Sequence, residues 1–316
     1  MTRTCESDLL VNFFVLLGAI VAAHQLRRFI AFVWLYLLRP TTVHQYLHDP
    51  PAYALVTGAT DGIGKAVAEE LYSKGFNLIL HGRNEQKLAQ VVDLLRAREG
   101  RDVLTFLADA TRSGHDFEHI MEPFRSLNIT LVIHNVGGTF IRRERIDGVD
   151  EANLSKIVQW NDMFPLYLTR ALLPQLRQSA MRGPVMVQFV GSQAEDVSPP
   201  TLAVYAASKA FLHALSRGLD NDERVWGTPS GVQFAYLAVG SVTSNSNRVT
   251  SSLVSPTASR FAKALVSRIG CGKRSYAPWL PHAAMQWLIE LLPVSMVDRL
   301  VAAEMHKTIV ANEKNT

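Results

Sequence analysis

Apolar residues run almost unbroken from Leu9 to Ala23 and again from Phe29 to Leu38, with His24, Gln25, Arg27 and Arg28 between the runs. A bilayer span takes about 20 residues. The first run is shorter than that, but extending it to Leu26, or toward Trp34, is enough if the arginines snorkel. Residues 1–38 are therefore expected to form an N-terminal transmembrane helix that anchors the chain. A cleaved signal peptide or a buried helix pair is the alternative. A signal peptide calls for a basic start and a small-residue cleavage site. This chain starts with Arg3, Glu6 and Asp8, without lysine, and has no obvious site of that kind near Ala22 and Ala23. Arg27, Arg28 and Arg39 follow the apolar run against Arg3 alone before it, which puts the bulk of the chain in the cytosol. Pro40 stops the helix, and 39–52 reads as a connector.

Beyond it the pattern alternates. Tyr53–Thr57, Phe76–Leu80, Val103–Leu107, Leu131–His134, Val185–Val190 and Val232–Leu237 are short apolar runs without polar alternation. Between them, Lys65–Lys74, Glu85–Arg98 and Asn153–Gln178 carry helical spacing or composition. Strands buried on both faces and separated by helices predict an α/β fold. Its core is a doubly wound parallel sheet of Rossmann type, with helices on both faces and the ligand at the carboxyl ends of the strands. The catalytic domain is expected over 53–276, with an apolar or amphipathic extension over 277–316.

Composition narrows the function. Hydrophobic residues are 48% and charged residues 19% of the 316, which excludes a disordered chain. The net charge of +4 is too small to argue for nucleic acid. Two cysteines, Cys5 and Cys271, exclude a disulfide scaffold. No metal site is expected.

The chemistry concentrates in a few strings. Thr57-Gly58-Ala59-Thr60-Asp61-Gly62-Ile63-Gly64 follows a predicted strand and opens a predicted helix. Glycines let the backbone turn tightly and approach a pyrophosphate, and the helix N-terminus supplies amide donors. A structural glycine turn is the competing reading. After the second strand comes His81-Gly82-Arg83-Asn84. An acid there would meet a free ribose 2′-hydroxyl. Arg83 instead suits a 2′-phosphate, and hence NADPH/NADP+, unless it is simply a solvated surface arginine. Tyr205 and Lys209 are four apart and share a helix face. A phenol's pKa near 10 is poorly matched to neutral pH, and a nearby ammonium lowers it.

Together with Asp109, His134-Asn135-Val136-Gly137, Ser192 and Tyr205-Ala206-Ala207-Ser208-Lys209, the glycine string resembles the short-chain dehydrogenase/reductase family. Order and spacing fit across roughly Tyr53 to Thr250, and Ser192 lies thirteen positions before Tyr205. Within the family, the N-terminal apolar run, Arg39-Pro40 and the string through Lys65 are similar to the membrane-bound 3-oxoacyl-CoA reductase and 17β-hydroxysteroid dehydrogenase branch. Pro256-Thr257-Ala258 and Tyr276-Ala277-Pro278 are also similar to it.

The resemblance implies four catalytic residues. Tyr205 is the general acid in reduction, Lys209 tunes it and holds the nicotinamide ribose, Ser192 binds the substrate oxygen, and Asn161 anchors a relay water, with Asn153 as its competitor. For the cofactor it implies Gly58, Thr60, Asp61, Gly62, Ile63, Gly64, Arg83, Asp109, Asn135, Gly137, Val242 and Thr243, besides Tyr205 and Lys209. Asp109 also reads as a turn or N-cap residue. The sequence departs from the family pattern at His134, Val136, Gly191 and Val239.

The expected activity is NADPH-dependent reduction of a ketone on a lipophilic substrate: 3-oxoacyl-CoA or a related lipid, or alternatively a steroid, terpenoid or polyketide intermediate of a specialised biosynthetic pathway. Arg142, Arg143 and Arg145 are candidates for CoA phosphates, against a solvated charged turn. An intact Ser192, Tyr205 and Lys209 argue against a non-enzymatic scaffold. The polar stretch Ser241–Ser255 reads as a lid or a surface loop, with Ser255 expected to cap a helix that starts at Pro256. Tyr276–Val294, rich in Trp and Leu, reads as an interfacial helix, a hydrophobic mouth or a packed core helix. The expected partners are the substrate and a membrane, taken as the endoplasmic reticulum with the catalytic domain facing the cytosol; a homodimer is left open.

Overall fold

In the computed structural model, residues 2–313 are described, apart from 99, 246 and 248. The chain divides into two compact units, Met1–Thr41 and Thr42–Thr316.

The first unit is a helix, α1 (Thr2–Val33), that continues as a π-helical turn over Trp34–Leu38. His24, Arg27 and Arg28 do not interrupt it, because no proline breaks the ladder before Pro40. Asp8–Leu38, 31 residues with mean hydropathy 2.0, is long and apolar enough to cross a membrane.

The second unit starts from β1 (Ala52–Val56), α2 (Gly62–Ser73), β2 (Asn77–Gly82), α3 (Glu85–Arg96), β3 (Val103–Leu107), α4 (Phe117–Met121) and β4 (Asn128–His134). It continues with α5 (Glu151–Val158), α6 (Phe164–Ala180), β5 (Val185–Val190), α7 (Ala194–Val197), α8 (Ala203–Arg224), β6 (Val232–Leu237), α9 (Ala258–Ser267), β7 (Ser275–Tyr276), α10 (Leu280–Ile289) and α11 (Val294–Glu313). All six predicted strands are present. The seven strands form one parallel sheet in the order β3-β2-β1-β4-β5-β6-β7. β7 is a two-residue edge strand, too short to leave an apolar run in the sequence.

Side chains alternate across the sheet into two cores. One packs Ala54, Val56 and Leu131 against Val67 and Leu71 of α2, Leu88 and Val91 of α3 and Phe261 of α9. The other packs Leu55, Val132 and Val187 against Phe117 of α4, Phe164 and Leu168 of α6 and Leu212 of α8. Strand order reverses between β1 and β4, so the loops after these strands diverge to opposite faces and open a crevice at their carboxyl ends. Val43 and Tyr46 join the first core, although they fall in the stretch read as a connector.

Two expectations about helices change. The helix predicted as Asn153–Gln178 is α5 and α6 joined by a π-helical turn over Gln159–Met163. The amide of Asn161 donates to Ile157 O at 2.9 Å, competing for the carbonyl four residues back, and the ladder widens there. Ser255 does not cap the next helix. Thr243 N and Oγ1 donate to Pro256 O and Ser255 O at 2.9 and 3.2 Å, which holds these residues outside the helix. Thr257 becomes the cap, accepting from Arg260 N.

Candidate active site

The glycine string forms the turn between β1 and α2. Gly58 has φ +65° and Gly62 φ +55°, a region that glycine enters without strain. A Cβ on Gly64 would lie 2.2 Å from Gly58 O and 2.5 Å from the Asn135 amide nitrogen, so only glycine fits there. Asp61 caps α2 by accepting from Gly62 N at 2.7 Å. Thr60 packs against Gly82, and Ile63 is partly buried against the first core. From the facing strand, Asn135 donates its amide to Thr57 O at 3.1 Å, and its own N–H goes to Thr57 Oγ1 at 2.9 Å.

His81 is a support the sequence reading did not assign. Its Nδ1 accepts from Gly58 N at 3.2 Å and its Nε2 donates to Ala108 O at 3.0 Å. The ring thus ties the turn to the end of β3. Burial pushes its pKa down to about 4, so it is neutral as this bonding requires.

Arg83 is exposed just past β2, close enough to Asp109 to help lower the pKa of its carboxyl. Burial pushes that pKa up, and the Thr111 hydrogen bonds, with Arg83 and Arg112, outweigh it. Asp109 Oδ1 accepts from both Thr111 N and Thr111 Oγ1, at 3.1 and 2.8 Å. These bonds form a turn at Asp109. The backbone cradle, the helix N-terminus and a cation without an acid in its place after β2 fit a dinucleotide with a 2′-phosphate.

Asn161 and Lys209 meet beside Gly137. A Cβ there would lie 2.5 Å from Asn161 Oδ1 and 3.2 Å from Lys209 Nζ. Asn161 is fully buried. Its amide nitrogen donates to Gly138 O at 2.8 Å and its oxygen accepts from Gly138 N at 3.1 Å. Asn153, the competitor, turns away and bonds Asp150 at the start of α5.

Lys209 Nζ donates to Val190 O at 3.2 Å and lies 5.6 Å from the Tyr205 ring centroid. Burial pushes the lysine down to about 8, against the pull of Asp162 and Glu195. Tyr205 is partly exposed at the cleft. Burial raises its pKa, and the hydrogen bond with the Ser192 hydroxyl opposes this. Ser192 Oγ accepts from Ala194 N at 3.1 Å.

Thr243 lies at the start of the loop after β6, paired with Thr257 at the cap of α9. Both of its donors are bound to Ser255 and Pro256 as described above, and neighbouring Val242 is buried in the first core. The segment from Ser241 lies over the glycine turn, with Asn245 donating to Asp61 at 2.9 Å. Residues 246 and 248 of that segment lie outside the described residues. His282 of α10 grips the segment at two points, with its Nε2 at 3.2 Å from Ser241 O and 2.9 Å from Val254 O.

A profile of the short chain dehydrogenase family matches residues 52–252, which carry the cradle and the Ser192, Tyr205 and Lys209 cluster. The chain belongs to the short-chain dehydrogenase family. A very-long-chain 3-oxoacyl-CoA reductase-like protein of Arabidopsis thaliana is 32% identical over 265 residues, 83% of each chain. The very-long-chain 3-oxoacyl-CoA reductase of Neurospora crassa is 30% identical over 282 residues, 87% of this chain and 83% of its own. Among solved structures, the short-chain dehydrogenase from Sphingobium yanoikuyae in complex with NADPH superposes with a TM-score of 0.62. It shares 22% identity and covers 77% of this chain and 96% of its own.

Within this short-chain dehydrogenase the departures from the family pattern have structural partners. His134 Nε2 donates to Thr169 Oγ1 at 2.8 Å, and its ring stacks on Phe189. Gly191 faces the ring of Tyr236. Asp162, also in the π turn, is buried with one carboxylate oxygen unpartnered, and burial pushes it up to about 7 against the pull of Lys209. Asp162 was legible only as a lone acid in the apolar stretch after Asn161.

Proposed function

We propose that the protein is an NADPH-dependent ketoreductase that reduces the 3-oxo group of a lipophilic acyl-CoA to a secondary alcohol. The observation that carries this is the meeting of Asn161 and Lys209 beside Gly137, with Tyr205 next to Lys209 and Ser192 next to Tyr205, beside a glycine cradle with exposed Arg83 just past β2. The names of the relatives support the acyl-CoA, and Arg83 supports the phosphorylated nucleotide.

NADPH, when bound, supplies the hydride. Gly58 to Gly64 and the start of α2 hold its pyrophosphate, Arg83 its 2′-phosphate, and Asn135 keeps the cradle closed. Asp109 borders the adenine side, and Val242 and Thr243 the nicotinamide side. Ser192 Oγ hydrogen-bonds the substrate carbonyl, which fixes the oxygen where negative charge develops. Tyr205 gives its phenol proton to that oxygen. Lys209, held by Val190 O, favours the resulting phenolate and binds the ribose. Asn161, locked on Gly138, keeps the π turn open for a water that returns the proton through Lys209.

The apolar part of the N-terminal helix, from Leu9 to Leu26, anchors the protein in a membrane, with Arg27, Arg28 and Arg39 and the catalytic unit on the cytosolic side. Exposed Leu288, Leu291, Leu292 and Val294 at the α10–α11 junction suit contact with that membrane.

The test is NADPH oxidation by the purified full chain with a long-chain 3-oxoacyl-CoA and a panel of steroid, terpenoid and polyketide ketones. Turnover of the acyl-CoA, lost in Tyr205→Phe with NADPH binding retained, is expected. Turnover of the panel alone overturns the substrate class, and an active Tyr205→Phe overturns the mechanism.

A further inference from the structure

We propose that Tyr236 is a positioning residue for reduction: its phenol oxygen clamps the backbone of Ser192 and so aims the Ser192 hydroxyl, with Glu195 and His213 holding the phenol in place. This rests on the proposed role of Ser192 and adds a residue that neither the family motifs nor the relatives assign.

The need for a clamp comes from the ladder. Beyond β5, Gly191 N and Gln193 N donate to Leu237 O and Val239 O, each at 2.9 Å, so the chain continues to pair with β6. Backbone groups of successive residues in a strand point in opposite directions. Ser192, between these two, turns its N–H away from that ladder, and a part-buried donor needs a partner. Tyr236 supplies one. Its phenol oxygen accepts from Ser192 N at 2.9 Å and its proton is directed at Ser192 O, 3.2 Å away. One hydroxyl serves both backbone groups of the same residue. The two groups belong to the peptide units on either side of the Ser192 Cα, so both planes are held, and the direction of the Cα–Cβ bond, and hence of Oγ, is constrained.

The phenol is itself held. Tyr236 is fully buried in the second core, in register with Phe189. Its ring stacks on His213 with centroids 4.6 Å apart and planes 14° apart. His213 lies one helical turn after Lys209 on α8, and its Nδ1 is 3.2 Å from Glu195 Oε1. Glu195 has its side chain buried three residues after Ser192, where it and the Tyr236 phenol act on each other's acidity. The loop carrying Ser192 is thereby tied to the helix carrying Tyr205 and Lys209, and the distance between the proton donor and the serine is set from inside the core. Burial and Asp196 push the Glu195 carboxyl up to about 8, and burial lowers His213, so the pair is bridged without net charge at neutral pH.

The test is Tyr236→Phe in the full chain. The ring, its stacking on His213 and its packing against Gly191 remain, and only the oxygen is lost. NADPH oxidation is measured with a long-chain 3-oxoacyl-CoA, and kcat is expressed per NADPH-binding site so that misfolded protein does not count. Mispositioning of a reacting group by about 1 Å costs up to about a hundredfold. The expected result is a kcat at least about tenfold lower, with KM and the NADPH Kd changed by less than about twofold. A kcat per site within about twofold of the parent overturns the proposal, as does a rise in KM that accounts for the whole loss. Tyr205→Phe, assayed in parallel, separates the two levels. If it turns over like the parent, the catalytic assignment beneath this inference fails. If it is inert while Tyr236→Phe keeps its kcat, this inference alone fails.

Discussion

The ring of Tyr236 occupies the space that a side chain at Gly191 would fill: a Cβ built on Gly191 would lie 1.9 Å from Tyr236 Cζ and 2.1 Å from its hydroxyl oxygen. The two positions face each other on neighbouring strands and must be read together. Gly191→Ser is expected to lower stability by at least about 1–3 kcal/mol, the usual cost of overpacking a core. Thermal unfolding measures it. Gly191→Ser combined with Tyr236→Ala should lose less than the sum of the two single variants. Additive losses would show that the contact is not the cause.

Arg83 stands at the rim of the cradle with no acid in its place to bind a ribose hydroxyl. Charge-assisted hydrogen bonds contribute about 1.5–3 kcal/mol each. Arg83→Ala should therefore weaken NADPH by about tenfold or more and leave NADH within about twofold. Fluorescence titration with both nucleotides decides it, and an unchanged preference removes the 2′-phosphate assignment.

Asp162 and Lys209 act on each other across the α8 side of the π turn. Burial pushes the lysine down to about 8, and the ionised carboxyl of Asp162 opposes that push. Asp162→Asn removes the opposition, so the lysine gives up its proton at lower pH. With Lys209 required in its charged form, the alkaline limb of the kcat profile should move to lower pH. An unmoved limb would show that the carboxyl does not tune the lysine.

His134 is buried, and burial pushes its pKa down from 6.5 to about 3. The unfolded chain takes up this proton first as the pH drops. The stability contribution is therefore complete above about pH 6.5 and is lost progressively down to the folded value. One pKa unit corresponds to about 1.4 kcal/mol. Between pH 7 and pH 5, the parent should lose on the order of 2 kcal/mol relative to His134→Asn, which does not titrate there. Denaturant unfolding of both proteins at the two pH values measures the difference. Parallel losses would place the acid sensitivity elsewhere.

Much of the fold was legible because its signals are local. Val185–Val190 and Val232–Leu237 are apolar runs with the same ends in the structure, since a central parallel strand is buried on both faces. The glycine string was legible because its φ values and close contacts restrict which residues can stand there. Element ends were less legible. The cap moved from Ser255 to Thr257 because Thr243, twelve residues from Ser255, binds the intervening carbonyls.

The amino-acid pattern by itself determined a doubly wound sheet, an apolar N-terminal helix and which side chains are candidates to move a proton. Those properties follow from spacing and side-chain type over a few neighbouring positions. What only the tertiary structure decided is which groups surround those residues. The Tyr236 hydroxyl meets Ser192 across 44 positions, and Glu195 meets His213 between separate helices. Such pairings leave no periodic trace, because they depend on how neighbouring strands are registered and how α7 and α8 pack beside them. The physical cause is burial. Once the sheet and helices exclude water, each polar group left inside must find a partner, and the fold determines which one is within reach.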